Sequence, residues 1–209
     1  MNTSDGVSRS PTRTEAFSDG VLAIVITLLV LEIRVPHLHD ALSRREAWDA
    51  LRALTPKFAS FVLSFVYVAI FWVNHHHFFD LIRKVNPGLI WRNNLLLLFL
   101  CFVPFPTAFI GEYPSNPVGL ALFAVVLMAA GLVFTVMWHY AHRKRLMDPR
   151  VPDEVAKQAV KSGMMGPPLY AFATLGAFAS PWIAWTVFFI VPVFFFFHSK
   201  RKLDEALSD

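Results

Sequence analysis

Residues 162–199 form a run of 38 positions without one Asp, Glu, Lys or Arg. A helix needs about 20 such residues to cross a hydrocarbon core of about 30 Å. The run is too long for one crossing and close to two short ones. Ser180 and Pro181 stand near its middle. A proline there breaks a helix, because it lacks the amide hydrogen and crowds the preceding turn. The run therefore predicts a helical hairpin, 163–179 and 182–198, turning at 179–182. Further uncharged runs cover 58–79, 93–111 and 118–140, with 22, 19 and 23 residues. They predict helices at 56–80, 90–111 and 117–141. A remaining helix, at 12–35, carries Arg13, Glu15, Asp19 and Glu32, and only 20–31 is free of charge. Pro11, with Thr12 and Glu15 spaced as a capping box, signals its start.

Six spans take up about 120 residues at about 20 each, which leaves no room for a separate soluble domain. The chain is 56% hydrophobic and 16% charged, against about 45–50% and about 25% in soluble domains. The expectation is an all-α integral membrane protein with one domain over 12–200 and tails at 1–11 and 201–209. Cys101, the single cysteine, has no intrachain partner for a disulfide. With the N-terminus inside, six spans place 14 Lys and Arg residues in inner segments and 5 in outer loops, as the positive-inside rule requires. Five spans would put Lys200, Arg201 and Lys202 outside. Topology thus accounts for the net charge of +4, and no nucleic-acid partner is implied. Short amphipathic helices are expected at 40–54 outside and 151–161 inside, and no cleavable signal peptide is expected.

At about 100° per residue, Arg13, Phe17, Gly20, Ile24, Leu28 and Leu31 share one stripe of the first helix, and Thr27 flanks it. Ser18, Asp19 and Glu15 lie on the far side. By spacing alone, Ile24, Leu28 and Leu31 read as helix packing or lipid contact. A carboxylate such as Asp19 is costly inside a span and needs a partner. Polar groups at the same level include Trp72, Asn74, His75, His76, His77 and Asp80 at the end of the second helix, and Trp91, Arg92, Asn93 and Asn94 at the start of the third.

Three consecutive helical histidines point about 100° apart, so they cannot converge on one ion, and no metal site is expected. A proton-relay or pH-sensing role is open to them. Walker, dinucleotide-binding and nucleophile-elbow motifs are missing, as is the carbonyl potassium filter. No enzyme activity and no cofactor are expected.

Arg13, Phe17, Ser18, Asp19 and Gly20 stand in an R-x-x-x-F-S-D pattern. This segment resembles the signature of the transmembrane protein 175 potassium channels in their short prokaryotic form. Residues 23–32, Trp72 with His75, His76 and Phe79, Trp91 with Asn93, and 104–107 are similar to that family's first three helices. From 118 onward the similarity is one of hydropathy and length. The resemblance implies a six-helix subunit in a homotetramer, with four first helices around a central pore that prefers potassium to sodium. It implies that Ile24 forms the main constriction with Leu28 and Leu31, the same stripe found on the helical wheel, and that Thr27 supports the filter. It implies that Arg13, Ser18, Asp19, His75 and Asn93 form the hydrogen-bond network that holds the pore helix. The implied location is a prokaryotic inner membrane with both termini cytoplasmic, and the partners are potassium ions, lipid and three further subunits. A contrasting expectation is a proton-coupled transporter using Asp19, Glu32 and His75, although no internal repeat or midplane helix break supports it.

Overall fold

The computed structural model describes residues 10–40 and 42–206, with side chains to residue 193. The expected tail segments 1–9 and 207–209 lie outside the described residues. Among the described residues the fold is all-α, with helices α1 (Thr12–Leu31), α2 (Arg44–Ala53), α3 (Thr55–Asp80), α4 (Pro87–Phe102), α5 (Pro104–Glu112), α6 (Pro117–Arg143), α7 (Asp153–Gly163), α8 (Gly166–Ala179) and α9 (Pro181–Ala206). Among the described residues, four stretches are long and apolar enough to cross a membrane: α1, α3, α4 with α5, and α6. The hairpin predicted at the C-terminal end is present as α8 and α9, joined at Ser180, whose extended backbone suits a residue before proline. The 14 residues of α8 span about 21 Å at 1.5 Å per residue.

Prolines and caps explain where the helices depart from the sequence expectation. α1 stops at Leu31 rather than 35, where Ile33 N–H bonds the Val30 carbonyl in a tight turn and Pro36 follows. α4 starts at Pro87 because the Asn86 side chain accepts the Leu89 N–H at 2.9 Å. The helix expected over 90–111 is divided at Val103, because Pro104 has no N–H to continue the ladder. α9 continues to Ala206, so residues 201–206 of the expected tail are helical.

Pro192 lies inside α9 and leaves the Phe188 carbonyl without its helical donor. The buried Tyr67 hydroxyl on α3 donates to that carbonyl at 3.0 Å. Around this point Tyr67, Phe123 and Phe188 pack edge to face, with ring centroids 5.9 and 5.0 Å apart. The central core joins α3, α6 and α9 in this way, while α1 packs on α3 and α4 at one side of the bundle.

The loops after α3 and α6 are pinned together. Arg83 and Lys84 N–H groups bond the Leu146 carbonyl, and Asp148 N–H bonds Leu81. Arg145, at φ 51°, ends α6 in the left-handed conformation, and Leu146 N–H returns to the Ala141 carbonyl. The short helices α2 and α7 fall within or beside the two expected amphipathic stretches. At the start of α2 the Glu46 carboxylate accepts the backbone N–H groups of His39 and Asp40, which hold it below the usual carboxylate range.

Candidate functional site

α1 has two unlike faces. Ser18, Leu22, Val25 and Leu29 are buried, following the i, i+4, i+7, i+11 rhythm of a helix packed on one side. Phe17, Ile24, Leu28 and Leu31 are exposed, Ile24 by 60% and Leu31 by 68% of their surface. Gly20 and Thr27 lie on the exposed face too. The Thr27 hydroxyl donates to the Ile24 carbonyl of its own helix at 2.8 Å. The apolar stripe read from the sequence is therefore a continuous face that the described residues do not cover.

The opposite face holds a directed chain of buried hydrogen bonds. Ser18, His75 and Asn93 are all fully buried. Ser18 Oγ–H donates to the Thr14 carbonyl at 2.8 Å, so its oxygen is free to accept. Asn93 Nδ2 donates to Ser18 Oγ at 2.9 Å, which turns Asn93 Oδ1 toward His75. His75 Nε2 lies 2.8 Å from that oxygen and must carry the hydrogen. Each direction follows from the one before it. The chain fastens the first third of α1 to α3 and α4.

Of the five residues expected in one network, the structure joins Ser18, Asn93 and His75. Asp19 makes a separate contact, accepting the Trp72 indole N–H at 3.0 Å. Arg13 is exposed and forms no hydrogen bond or ion pair among the described residues. Trp72, among the polar groups that the sequence places at the level of Asp19, is the partner the fold selects, its indole being a donor-only group one turn before His75. The expected capping box is not formed either: Pro11 is the N-cap residue, and the Thr12 hydroxyl pairs with Ser10 at 2.8 Å. Glu15 turns away from the helix start, and its Oε1 lies 3.5 Å from Nδ1 of His76.

The three histidines diverge as the helical geometry demands. His75 points into the core against Phe79, His76 stacks on Trp72 and meets Glu15, and His77 is exposed. At the other end of α1, Glu32 and Arg34 line a cavity of about 540 Å³ with Lys57 and Glu112, which pair with each other. Ser64 and Thr107 join α3 to α5 by a buried hydrogen bond of 2.7 Å.

Residues 13–104 match the family described as endosomal/lysosomal potassium channel TMEM175. A potassium channel of Chamaesiphon minutus is 37% identical over 192 residues, which is 90% of this chain and 94% of the relative. A potassium channel of Streptomyces collinus is 40% identical over 166 residues, covering 75% of this chain and 79% of its own length. The crystal structure of a lysosomal potassium-selective channel TMEM175 homolog from Chamaesiphon minutus has a TM-score of 0.79 at 36% identity, covering 90% of this chain and 97% of that one. The likeness thus runs well past residue 107, where the sequence motifs stop, and takes in the C-terminal helices. With apolar helices long enough to cross a membrane several times, and with identity of this order over nine-tenths of the chain, the protein is a multi-pass membrane protein that belongs to the TMEM175 family of channels.

Proposed function

We propose that four copies of this chain surround a common axis as a potassium-permeable channel, with α1 of each subunit lining the pore. The observation that carries this reading is the uncovered stripe Ile24, Leu28 and Leu31, opposite a buried polar anchor on the same helix. Cyclic symmetry lets identical stripes cover one another. A ring of such side chains gates by dewetting and passes an ion only when it sheds water. Potassium sheds water more readily than sodium, so a modest preference for potassium follows. The names of the related bacterial potassium channels support the same ion.

In this reading Ile24 is the narrowest point, Leu28 and Leu31 extend the constriction, and Thr27 supports it. Ser18, Asn93 and His75, with Asp19 held by Trp72, keep the pore helix in place. Arg13, on the same side as the stripe, is left for a neighbouring subunit. The subunit has six spans, with α8 and α9 as the last two. Both termini lie in the cytoplasm of a prokaryotic cell, in accord with the distribution of Lys and Arg. Glu32 stands about 20 Å from Asp19 along the helix axis, and His75 is bonded to neutral Asn93, so the three do not form one proton relay.

Reversal potentials in planar bilayers, with potassium on one side and sodium on the other, test the proposal. Wild type should shift toward the potassium equilibrium potential, and Ile24→Asn should shrink the shift by wetting the constriction. An unchanged shift in the variant would move the filter off Ile24. No current in wild type, together with pH-driven uptake in liposomes, would support a transporter.

A further inference from the structure

We infer that Glu15, His76 and Asp80 form a binding site for a divalent first-row transition-metal ion that ties the first turns of α1 to the last turn of α3. One ligand atom from each residue lies within 4.8 Å of the other two. His76 is 3.5 Å from Glu15 through Nδ1 and 3.7 Å from Asp80 through Nε2, and an ion would take one of these nitrogens, leaving the other for solvent or a hydrogen bond. Ligands around a tetrahedral ion at about 2.0–2.2 Å stand about 3.4 Å apart, so closure from the 4.8 Å limit shortens a separation by up to about 1.4 Å. Glu15 is half-buried and His76 and Asp80 are exposed, which leaves them that freedom and leaves room for water as a fourth ligand.

Consecutive histidines on a helix cannot share an ion. This set needs only one of them, because the tertiary fold brings a carboxylate from another helix. Two further observations point to a cation. Among the described residues, Glu15 and Asp80 have no lysine or arginine partner; their ion-pair contacts are to imidazoles alone. The His76 ring is also held in place, stacked on Trp72 at 6.0 Å and 15°. Imidazole with carboxylates suits zinc, cobalt or iron(II) better than magnesium or calcium, which prefer oxygen alone. The site does not depend on what the pore conducts.

The test uses purified full-length protein in detergent, stripped with EDTA and titrated with Zn²⁺ and Co²⁺ by calorimetry. The expected result is one saturable site per subunit, with affinity at least about tenfold lower in Glu15→Gln, His76→Gln and Asp80→Asn. Metal should raise the melting temperature of wild type and leave that of Glu15→Gln unmoved. His39→Gln, at a different His–Glu pair beyond the other end of α1, should bind as wild type does. Undiminished affinity in Glu15→Gln would place the ion on α3 alone and overturn the bridge. Absence of a saturable site in wild type, or its loss in His39→Gln, would overturn it as well. Glu15→Gln keeps the side chain's shape; should its elution differ from wild type, Asp80→Asn supplies the same comparison.

Discussion

Asn93→Leu measures what the buried chain contributes to holding α1. Asn93 has no exposed surface, and leucine is close to it in volume, so repacking is a small term. The substitution removes hydrogen bonds of 2.8 and 2.9 Å. Ser18 keeps its bond to the Thr14 carbonyl, so the stranded group is the Nε2–H of His75. An orphaned buried donor costs about 1–3 kcal/mol. His75→Phe alone strands Asn93 Oδ1 at a similar cost of about 1–3 kcal/mol, while the new ring keeps its place beside Phe79. The double variant strands neither group and should lie within about 1 kcal/mol of wild type, because replacing both partners by apolar groups is nearly neutral. Two independent losses would instead add to about 2–6 kcal/mol. Unfolding of the purified protein by SDS in mixed micelles gives the three free energies. A double variant as unstable as that sum would refute the directed chain, and with it the tautomer assigned to His75.

Tyr67→Phe should destabilise by about 1–3 kcal/mol by leaving the Phe188 carbonyl unpaired, and Pro192→Ala should relieve most of that loss by restoring a helical donor; the same unfolding assay reads both. Gly111→Ala should cost about 1–3 kcal/mol, since a Cβ there meets Ser60 Oγ at 2.7 Å and the Lys57 backbone at 3.2 Å, forcing α3 and α5 apart. Arg150 holds the Asp148 carboxyl at about 2, first through side-chain hydrogen bonds and then through its backbone N–H. Because this folded value lies below the ordinary 3.8, the contribution to stability is present above about pH 4 and is lost as pH falls through about 2. In Arg150→Ala, carbon NMR of the Asp148 carboxyl should show titration moved up toward 4; an unmoved midpoint would remove Arg150 as the cause.

The order and rough extent of the long helices could be read from uncharged runs and prolines, because a span leaves a signal about 20 residues long and local chemistry marks its ends. The α8–α9 turn at Ser180 and Pro181 was readable in this way. So was the membership of the α1 stripe, since a 3.6-residue period assigns faces without reference to neighbours, while its exposure depended on how α1 packs. The division at Val103 was less evident, because Pro104 lay inside a run whose hydropathy does not change. Partners were another matter. Asp19, Ser18, His75 and Asn93 could be placed at one membrane level, yet level does not say which atoms meet. Packing of α1 against α3 and α4 chose Trp72 for Asp19, Asn93 for Ser18, and His76 for Glu15. The same packing sent three adjacent histidines into three surroundings and found the Phe188 carbonyl a donor 121 positions away. Local periodicity acts within one helix and is written along the chain. Hydrogen bonds between helices reach about 3 Å and depend on crossing points that no single helix specifies.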